Sequence, residues 1–365
     1  MNEVRTPPVV IAAGGTGGHV LPAEALADRL IQRGQRVILL TDSRSRPQDS
    51  AVFRSCEQHI IGGSGVVGRS PIRAARSIAR IAGGVLQARR IMAAAKPRVV
   101  VGFGGYPSVA PVLAARTLSA RPKIVLHDQN AALGRANQLL ARFADVLALS
   151  FADTQGVPPG CVARVTGNPV RTSIIAKARS PYHDDGTQLN LLVMGGSLGA
   201  LAFATLVPEA LALLPERLRS RLQIIMQCPS PGLASAQERL AQAGIKAVLA
   251  PFIENVALEM ARSQLVIARA GGSTVAEIAV IGRPAILIPL AINADQRANA
   301  QSLVRAGGAI RLDQANLTAS AFSEVLAAVL GDPQKRFDMA RAAASFGITD
   351  AADQLAALVM AEIVQ

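Results

Sequence analysis

The segment VVIAAGGTGGHVLP, residues 9–22, decides the fold class of this chain. Its first three residues are β-branched and apolar, in a run too short for a helix and typical of a buried parallel strand. Glycines and then a helical pattern follow at once. Glycines let the backbone approach a ligand closely, and a helix N-terminus offers free N–H groups, so this order predicts an anion-binding turn. Thr16 adds a hydroxyl group to the turn and His19 adds a titratable ring.

The same order of apolar strand, glycine turn and helix recurs three times. GFGGYPS at residues 102–108, GGSLGA at 195–200 and ARAGGSTVAE at 268–277 each follow a short apolar run. Ordinary tight turns do not explain four such repeats, so we interpret them as ligand-binding loops. Strands and helices alternate through both halves of the chain. This pattern predicts an α/β fold of two doubly wound, Rossmann-like domains that face a central cleft, with ligands at the carboxyl ends of the strands.

The chain has 365 residues, which is long for one domain. The segment TGNPVR at residues 166–171 cannot continue a helix or a central strand, because a proline follows Asn168. We therefore expect a first domain over residues 1–168 and a second over 169–345. The last segment, 346–365, is expected to form a helix that packs back on the first domain.

Positive charge is concentrated in the first half of the chain. The formal net charge is +13, and residues 1–170 hold 21 Lys and Arg against 9 Asp and Glu. No acidic residue occurs between Glu57 and Asp128. This imbalance predicts an anionic partner, which is a membrane surface, a nucleic acid or a phosphorylated substrate.

Four arginines in this basic region recur at helical spacing. They would form one stripe on a helix, either as a solvated face or as a surface that attracts anionic lipid. The glycine pair at residues 83–84 is expected to weaken that helix. Nucleic acid is not predicted as a partner, because aromatic residues make up only 3% of the chain and no base-stacking platform is visible. The stripe consists of Arg69, Arg73, Arg76 and Arg80.

No metal-binding pattern follows a strand in this sequence. Asp184 and Asp185 are adjacent in a charged loop, and we interpret both as solvated. We expect no required metal. Residues 189–207 carry no charge, but glycines interrupt the window, which predicts a buried strand and a buried helix instead of a membrane span.

Six motifs, in this order along the chain, resemble those of the undecaprenyldiphospho-muramoylpentapeptide β-N-acetylglucosaminyltransferases of bacterial peptidoglycan synthesis, in glycosyltransferase family 28. This resemblance implies the two-domain GT-B fold. The motifs are GGTGGHVLP, GFGGYPS, HDQNA, TGNPVR, GGSLGA and ARAGGSTVAE.

The resemblance also implies an activity. N-acetylglucosamine would move from UDP-GlcNAc to the C4 hydroxyl of the MurNAc unit of lipid I, with inversion, giving lipid II and UDP. The partners would be UDP-GlcNAc, lipid I and an anionic membrane surface, and no cofactor is expected. The enzyme would be peripheral, at the cytoplasmic face of the cell membrane, with lipid I bound by the first domain and UDP-GlcNAc by the second.

The resemblance assigns donor contacts residue by residue. Glu277 would accept the ribose hydroxyls, Arg171 would neutralise the leaving diphosphate, and Ile253 would present backbone to the uracil. Ser197 would hold the donor phosphates. The remaining donor contacts fall on the sugar-binding Asn130 and Gln296 and on the helix start formed by Gly272, Ser273, Thr274, Val275 and Ala276.

Acceptor contacts are expected around the first glycine turn. His19 and Asp128 would lie at the acceptor hydroxyl, and either can be the general base. The same turn would contribute Thr16, Gly17 and Gly18. The acceptor diphosphate would bind Gly14, Gly15, Gly104 and Gly105.

Three departures from the family pattern affect sugar contacts. Leu198 stands where Gln is usual, Asp128 replaces the usual Glu, and Gln296 has unusual neighbours, Asp295 and Arg297. Three other functions stay open at this point. They are another GT-B transferase that uses a UDP-sugar and a lipid acceptor, a nicotinamide-dependent oxidoreductase, and a non-catalytic binder of anionic lipid or nucleic acid.

Overall fold

The structure, a computed structural model, describes residues 6–15, 17–43, 45, 50–62, 71–178, 180–196 and 201–364. The predicted site residues Thr16, Arg69 and Ser197, together with Leu198, lie outside these ranges. The side chains of Arg73 and Arg76 are also outside the description.

Strands and helices alternate along the described chain. The strands are β1 (Val9–Ala12), β2 (Val37–Thr41), β3 (Glu57–Ile60), β4 (Val99–Gly102), β5 (Lys123–Asp128), β6 (Val146–Leu149), β7 (Ala163–Val165), β8 (Leu189–Met194), β9 (Leu222–Gln227), β10 (Lys246–Ala250), β11 (Leu265–Ala268), β12 (Ala285–Leu287) and β13 (Ala309–Arg311). The helices are α1 (Gly17–Gln32), α2 (Ala51–Arg54), α3 (Pro71–Ala95), α4 (Gly105–Arg116), α5 (Arg135–Leu140), α6 (Thr172–Ile175), α7 (Leu201–Ala212), α8 (Glu216–Arg219), α9 (Ser230–Gln242), α10 (Val256–Arg262), α11 (Gly272–Ile281), α12 (Ala294–Arg305), α13 (Ala319–Leu330), α14 (Pro333–Phe346) and α15 (Ala351–Val364).

Two parallel sheets organise the chain. The first has the strand order β3-β2-β1-β4-β5-β6-β7 and the second has the order β10-β9-β8-β11-β12-β13. In each sheet the order reverses at its centre, between β1 and β4 and between β8 and β11. Ligands of such sheets bind where the order reverses, at the carboxyl ends of the strands. The four glycine turns of the sequence follow these four central strands, so the predicted α/β, doubly wound fold is confirmed.

Both faces of the first sheet are covered, which explains why its central strands are apolar at every position. On β1, Val9 and Ile11 pack in one core with Leu355 of α15. Val10 faces the opposite side and packs in a second core with Met92 of α3. In the second sheet, Val193 of β8 packs in one core with residues of α7, α9 and α13.

The chain divides into two compact units, residues 1–171 with 350–365, and residues 172–349. These boundaries fall a few residues after those expected at 168 and 345. Helix α15 belongs to the first unit, where its Asp353 pairs with Arg29 at 3.3 Å and with Arg33 at 2.8 Å.

Helix α3 differs from expectation at its glycine pair. It runs without a break through Gly83 and Gly84 from residue 71 to 95. A Cβ atom on Gly84 would lie 1.9 Å from the carbonyl oxygen of Gly62, so this glycine permits a close approach of the chain after β3. Gln87 secures that approach, since its side chain accepts from the Gly62 amide at 3.1 Å and donates to the Ile60 carbonyl at 3.0 Å.

The loop before β8 corrects a second expectation. Asp184 is not solvated, because it accepts from Nε of the fully buried Arg336 at 2.8 Å. The prediction was therefore wrong for Asp184, whose partner lies 152 residues away in the sequence. The uncharged window at residues 189–207 divides between β8 and α7. Among the described helices, none combines the length and the apolar character that a membrane crossing requires.

Candidate active site

His19 lies in the first turn of α1, directly after the glycine turn that follows β1. Its Nδ1 is 2.7 Å from the carbonyl oxygen of Phe103, in the glycine turn after β4. The side-chain amide of Gln129, after β5, lies 2.8 Å from the same nitrogen. Neighbouring parallel strands end at one edge, so the fold brings together three segments that are far apart in sequence.

These contacts decide which ring nitrogen of His19 is available. The Phe103 carbonyl oxygen can only accept, so this contact favours the tautomer with the proton on Nδ1 and a free lone pair on Nε2; in that tautomer the Gln129 amide turns its oxygen, not its NH2 group, towards Nδ1. Nε2 has no hydrogen bond to any residue in the described ranges, and it would lie 3.2 Å from a Cβ atom on Gly105. Burial lowers the pKa of His19 below its ordinary value of 6.5, against the opposing effects of the Phe103 carbonyl, Asp128 and Gln129. The ring is therefore neutral near pH 7 and ready to accept a proton at Nε2.

Asp128 is the other predicted base, and its carboxylate is occupied by hydrogen bonds. Oδ1 accepts from the Asn130 amide at 3.0 Å, and Oδ2 accepts from the Gly134 amide at 2.8 Å and from Nδ2 of Asn137 at 2.9 Å. Burial raises the pKa of Asp128, while these donors and His19 act in the opposite direction. These hydrogen bonds indicate that Asp128 holds the loop between β5 and α5 in place.

The first glycine turn packs against the segment after β2. The Gly15 amide donates to Oδ1 of Asp42 at 3.1 Å and to Oγ of Ser45 at 2.9 Å. A Cβ atom on Gly14 would lie 2.8 Å from the same carboxylate oxygen. The Gly15 amide is thus already used, and a carboxylate stands beside it. The assignment of Gly14 and Gly15 to the acceptor diphosphate stays a prediction, and the amides of Gly17 and Gly18 at the start of α1 are further candidates for it.

The glycine turn after β4 needs glycine for steric reasons. Gly104 and Gly105 have φ angles of +76° and +65°, which side chains rarely allow. Cβ atoms there would also contact Asn137 and the ring of His19. Ser108 secures the turn, because its hydroxyl lies 3.0 Å from the Ala12 carbonyl and 2.8 Å from the Gly104 carbonyl.

His127 was not singled out in the sequence, although it stands in the HDQNA motif. It is fully buried, and its ring lies 5.1 Å from the Phe103 ring. Nε2 is 3.3 Å from the Gly167 carbonyl, which links β5 to the TGNPVR segment. Burial lowers the pKa of His127 to about 4, so this histidine is neutral at physiological pH.

In the second unit, α11 begins at the glycine turn after β11. Its first residues, Gly272, Ser273 and Thr274, open the helix, and the Ser273 hydroxyl oxygen is buried without a hydrogen-bond partner in the described ranges. Glu277 lies one turn further and is only 6% exposed. Val275 is different, because its side chain is fully buried and its amide donates to the Gly271 carbonyl at 2.9 Å. The side chain of Val275 therefore packs in the core, and its assignment as a donor contact stays a prediction.

Other predicted donor residues also lie beyond strands of this sheet. Gln296, in the first turn of α12, accepts from the Leu290 amide at 3.0 Å, so its NH2 group is the part that can donate to a ligand. Ile253 is buried in the loop after β10, next to Phe252, which is 72% exposed. Ala276 is half-buried on α11.

Asn130 and Arg171 belong to the first unit. Both are half-buried. Arg171 is the last residue of the first of that unit's two segments and lies two residues after Pro169 of the TGNPVR motif. Within the described ranges, no group of three or more His, Cys, Asp or Glu side chains could hold a metal ion.

Comparisons with known proteins identify the family. The model of the glycosyltransferase family 28 N-terminal domain matches residues 9–148, and that of the family 28 C-terminal domain matches residues 190–355. The chain belongs to glycosyltransferase family 28. The predicted resemblance, the two-domain transferase fold and the class of enzyme are thereby confirmed.

Relatives cover this family 28 transferase over nearly its whole length. A protein of Acidiphilium cryptum is 57% identical over 98% of this chain and 97% of its own length. One of Granulibacter bethesdensis is 46% identical over 96% of this chain and 92% of its own length. Both are named UDP-N-acetylglucosamine--N-acetylmuramyl-(pentapeptide) pyrophosphoryl-undecaprenol N-acetylglucosamine transferase. The crystal structure of Acinetobacter baumannii MurG is similar with a TM-score of 0.80 and 29% identity, over 97% of this chain and 100% of that one.

Proposed function

We propose that this family 28 transferase moves N-acetylglucosamine from UDP-GlcNAc to the C4 hydroxyl of MurNAc in lipid I, giving lipid II and UDP. The names and near-complete coverage of its relatives support this reaction. The structural observation that carries it is the free Nε2 of His19, placed at the carboxyl edge where the first sheet reverses its strand order.

His19 is the general base in this proposal. Nε2 takes the proton from the acceptor hydroxyl while the oxygen of that hydroxyl attacks C1 of the donor sugar. The bond between C1 and the β-phosphate oxygen breaks, its electron pair stays with UDP, and the configuration at C1 inverts. A positioned base of this kind accelerates such a step by roughly 10²–10⁴-fold.

Asp128 has a positioning role in this scheme. Its two oxygens already accept three hydrogen bonds from the loop before and at the start of α5. Its negative charge also favours the protonated form of His19, which develops during the reaction. The choice between the two predicted bases therefore falls on His19.

The donor is assigned to the turns at the edge of the second sheet. The amides that open α11 and the Ser197 segment would hold the diphosphate, with Ser273 and Thr274 as hydroxyl donors. The buried carboxylate of Glu277 would accept the ribose hydroxyls, and the chain at Ile253 would face the uracil. Asn130 and the NH2 group of Gln296 would contact the sugar.

Charge on the leaving UDP is stabilised by chain groups in this proposal. Arg171 and the helix N-termini can carry out the task that a divalent cation performs in other transferases. We therefore expect turnover without an added metal.

Binding to an anionic membrane surface is assigned to the exposed face of α3. Ile78 is 65% exposed and Leu86 is 58% exposed, and both Arg89 and Arg90 are exposed beside them. At 100° per residue these four positions fall within about 120° of one another on the helix. Apolar side chains among arginines suit a helix that lies in the headgroup region of an anionic bilayer, at the cytoplasmic face. Arg80, from the predicted stripe, is exposed but lies about 80° beyond Arg90 around the helix, outside this face.

Transfer of radiolabelled N-acetylglucosamine to lipid I tests the function directly. Product should form with UDP-GlcNAc and lipid I and should depend on both. A parallel reaction with diacylglycerol as the acceptor distinguishes another lipid transferase. Stabilisation by NAD but not by UDP-GlcNAc in thermal unfolding would contradict the proposal.

A further inference from the structure

Arg269 is a buried cation at the carboxyl edge of the second sheet. It directly follows β11 and is 5% exposed. Its Nη1 donates to the carbonyl of Ile288, just after β12, at 2.9 Å and to the side chain of Gln314, just beyond β13, at 2.7 Å. The side chain therefore ties together the ends of three neighbouring strands.

This guanidinium has no carboxylate partner in the part of the chain that the structure describes. Instead of a carboxylate, the guanidinium contacts carbonyl oxygens and the ring of Phe203 in α7. Its Cζ lies 4.4 Å from the centroid of that ring. Its Nε is buried without a hydrogen-bond partner in the same ranges. Burial alone lowers the pKa of Arg269. A buried charge without a counter-ion is costly, so an anion nearby would be stabilised by this site.

The two glycine turns of this unit adjoin Arg269. Its backbone amide donates to the carbonyl of Met194 at 3.3 Å, the last residue before the turn that begins at Gly195. Helix α11 begins three residues after Arg269, at Gly272. Strands β8 and β11 both end at the edge where a diphosphate is proposed to bind, so the buried cation lies next to that edge.

We infer that Arg269 is a positioning residue for the donor diphosphate. It holds the ends of β11, β12 and β13 and the start of α7 in place, and its uncompensated charge attracts the diphosphate through the protein without contacting it. This inference rests on the proposed function, because it requires a nucleoside diphosphate at these turns.

Arg283 provides a matched control in the same unit. It is 1% exposed, and its guanidinium donates to the carbonyl of Ala261, while its Cζ lies 5.7 Å from the Tyr182 ring centroid. However, Arg283 precedes β12 and so lies at the amino edge of the sheet. A strand of three to four residues separates the two edges by about 10–13 Å. Both arginines are buried and bound to carbonyls, but only Arg269 adjoins the proposed diphosphate.

The experiment compares the affinities for UDP and for uridine by titration calorimetry. The proteins are the full chain, Arg269→Met, Arg269→Gln and Arg283→Met. Loss of a unit charge about 10 Å away, at an effective dielectric constant of about 20, should weaken binding roughly tenfold for each negative charge of the diphosphate, so UDP binding should weaken at least about tenfold. Uridine is uncharged, so its affinity should change by less than about threefold. Arg283→Met, at roughly twice the distance, should change the ratio of the two affinities by only about the square root of the Arg269 effect, although its thermal stability falls.

The ratio separates an electrostatic role from a structural one. Equal losses of UDP and uridine affinity in the Arg269 variants, or the same selective loss in Arg283→Met, would overturn the inference. If Arg269→Met does not fold, Arg269→Gln decides, because glutamine keeps an NH2 donor for the carbonyls and lacks the charge. A parent chain that binds neither UDP nor uridine would instead overturn the proposed function and the inference with it.

Discussion

Replacement of His19 by alanine is the sharpest test of the proposed reaction. The change removes Nε2, the ring nitrogen left free by the 2.7 Å contact between Nδ1 and the Phe103 carbonyl. Loss of general-base catalysis should lower kcat by roughly 10²–10⁴-fold, or about 3–5 kcal/mol of transition-state stabilisation. The KM for UDP-GlcNAc should change little, because no donor contact is assigned to His19.

The pH profile gives an independent readout of the same residue. A general base works only in its neutral form, and burial lowers the pKa of His19 below 6.5. In the parent enzyme, kcat should therefore stay high at pH 6.5 and fall as the pH drops through the lowered pKa of the histidine. His19→Ala should lack this acid limb, since the titrating group is gone.

Initial rates of radiolabelled transfer between pH 4.5 and 8 would measure both effects. His59→Ala is a suitable control, because that histidine lies on β3 and bonds only to Glu57, at 2.9 Å, among the described residues. The control should keep the parent kcat and the parent acid limb. If His19→Ala retained kcat within a few-fold and kept the limb, the reasoning would fail and Asp128 would become the base.

Four further predictions address other parts of the molecule. Glu277→Ala should raise the KM for UDP-GlcNAc far more than it lowers kcat, because a ribose contact is shared by ground and transition states; unchanged constants would remove Glu277 from the donor site. Reversal of Arg89 and Arg90 to glutamate should weaken binding to anionic vesicles by about 1 kcal/mol per residue, seen as reduced sedimentation with them, and should spare turnover of a soluble short-chain acceptor. Unchanged sedimentation would show that this face is only a solvated surface. Activity should survive EDTA, whereas a complete loss that magnesium or manganese restores would refute metal-free turnover. His127 has a pKa of about 4, against an ordinary value of 6.5, so its contribution to folding stability is fully present above pH 6.5 and is lost as the pH falls toward 4. The loss amounts to up to about 3 kcal/mol. Denaturant unfolding at pH 7 and pH 4.5 should show this loss of stability in the parent and a smaller loss in His127→Phe.

Much of the fold follows from local patterns in the sequence. A short apolar run next to glycines and a helical pattern can form few structures other than a buried strand, a turn and a helix. Four repeats of that pattern were enough to predict two doubly wound sheets. Gly104 and Gly105 illustrate the reason, since their positive φ angles are nearly closed to other residues and therefore leave a mark in the sequence.

The roles within the site depended on long-range contacts that no local pattern encodes. His19 meets Phe103 and Gln129 across 84 and 110 residues of sequence, and only those contacts reveal which ring nitrogen is free. The Gly15 amide was available by pattern, yet it is occupied by Asp42, 27 residues away.

Charged residues show the same division most clearly. In the sequence, Asp184 lies in a polar loop and Arg269 lies in a glycine motif. Whether a charge is solvated or buried depends on what packs around it, and here that is Arg336 for the first and Phe203 with Gln314 for the second. Sequence alone thus determined the strands, the glycine turns and the family, because these depend on neighbouring residues. Tertiary structure decided protonation, pairing and burial, because these depend on residues that meet only in the folded chain.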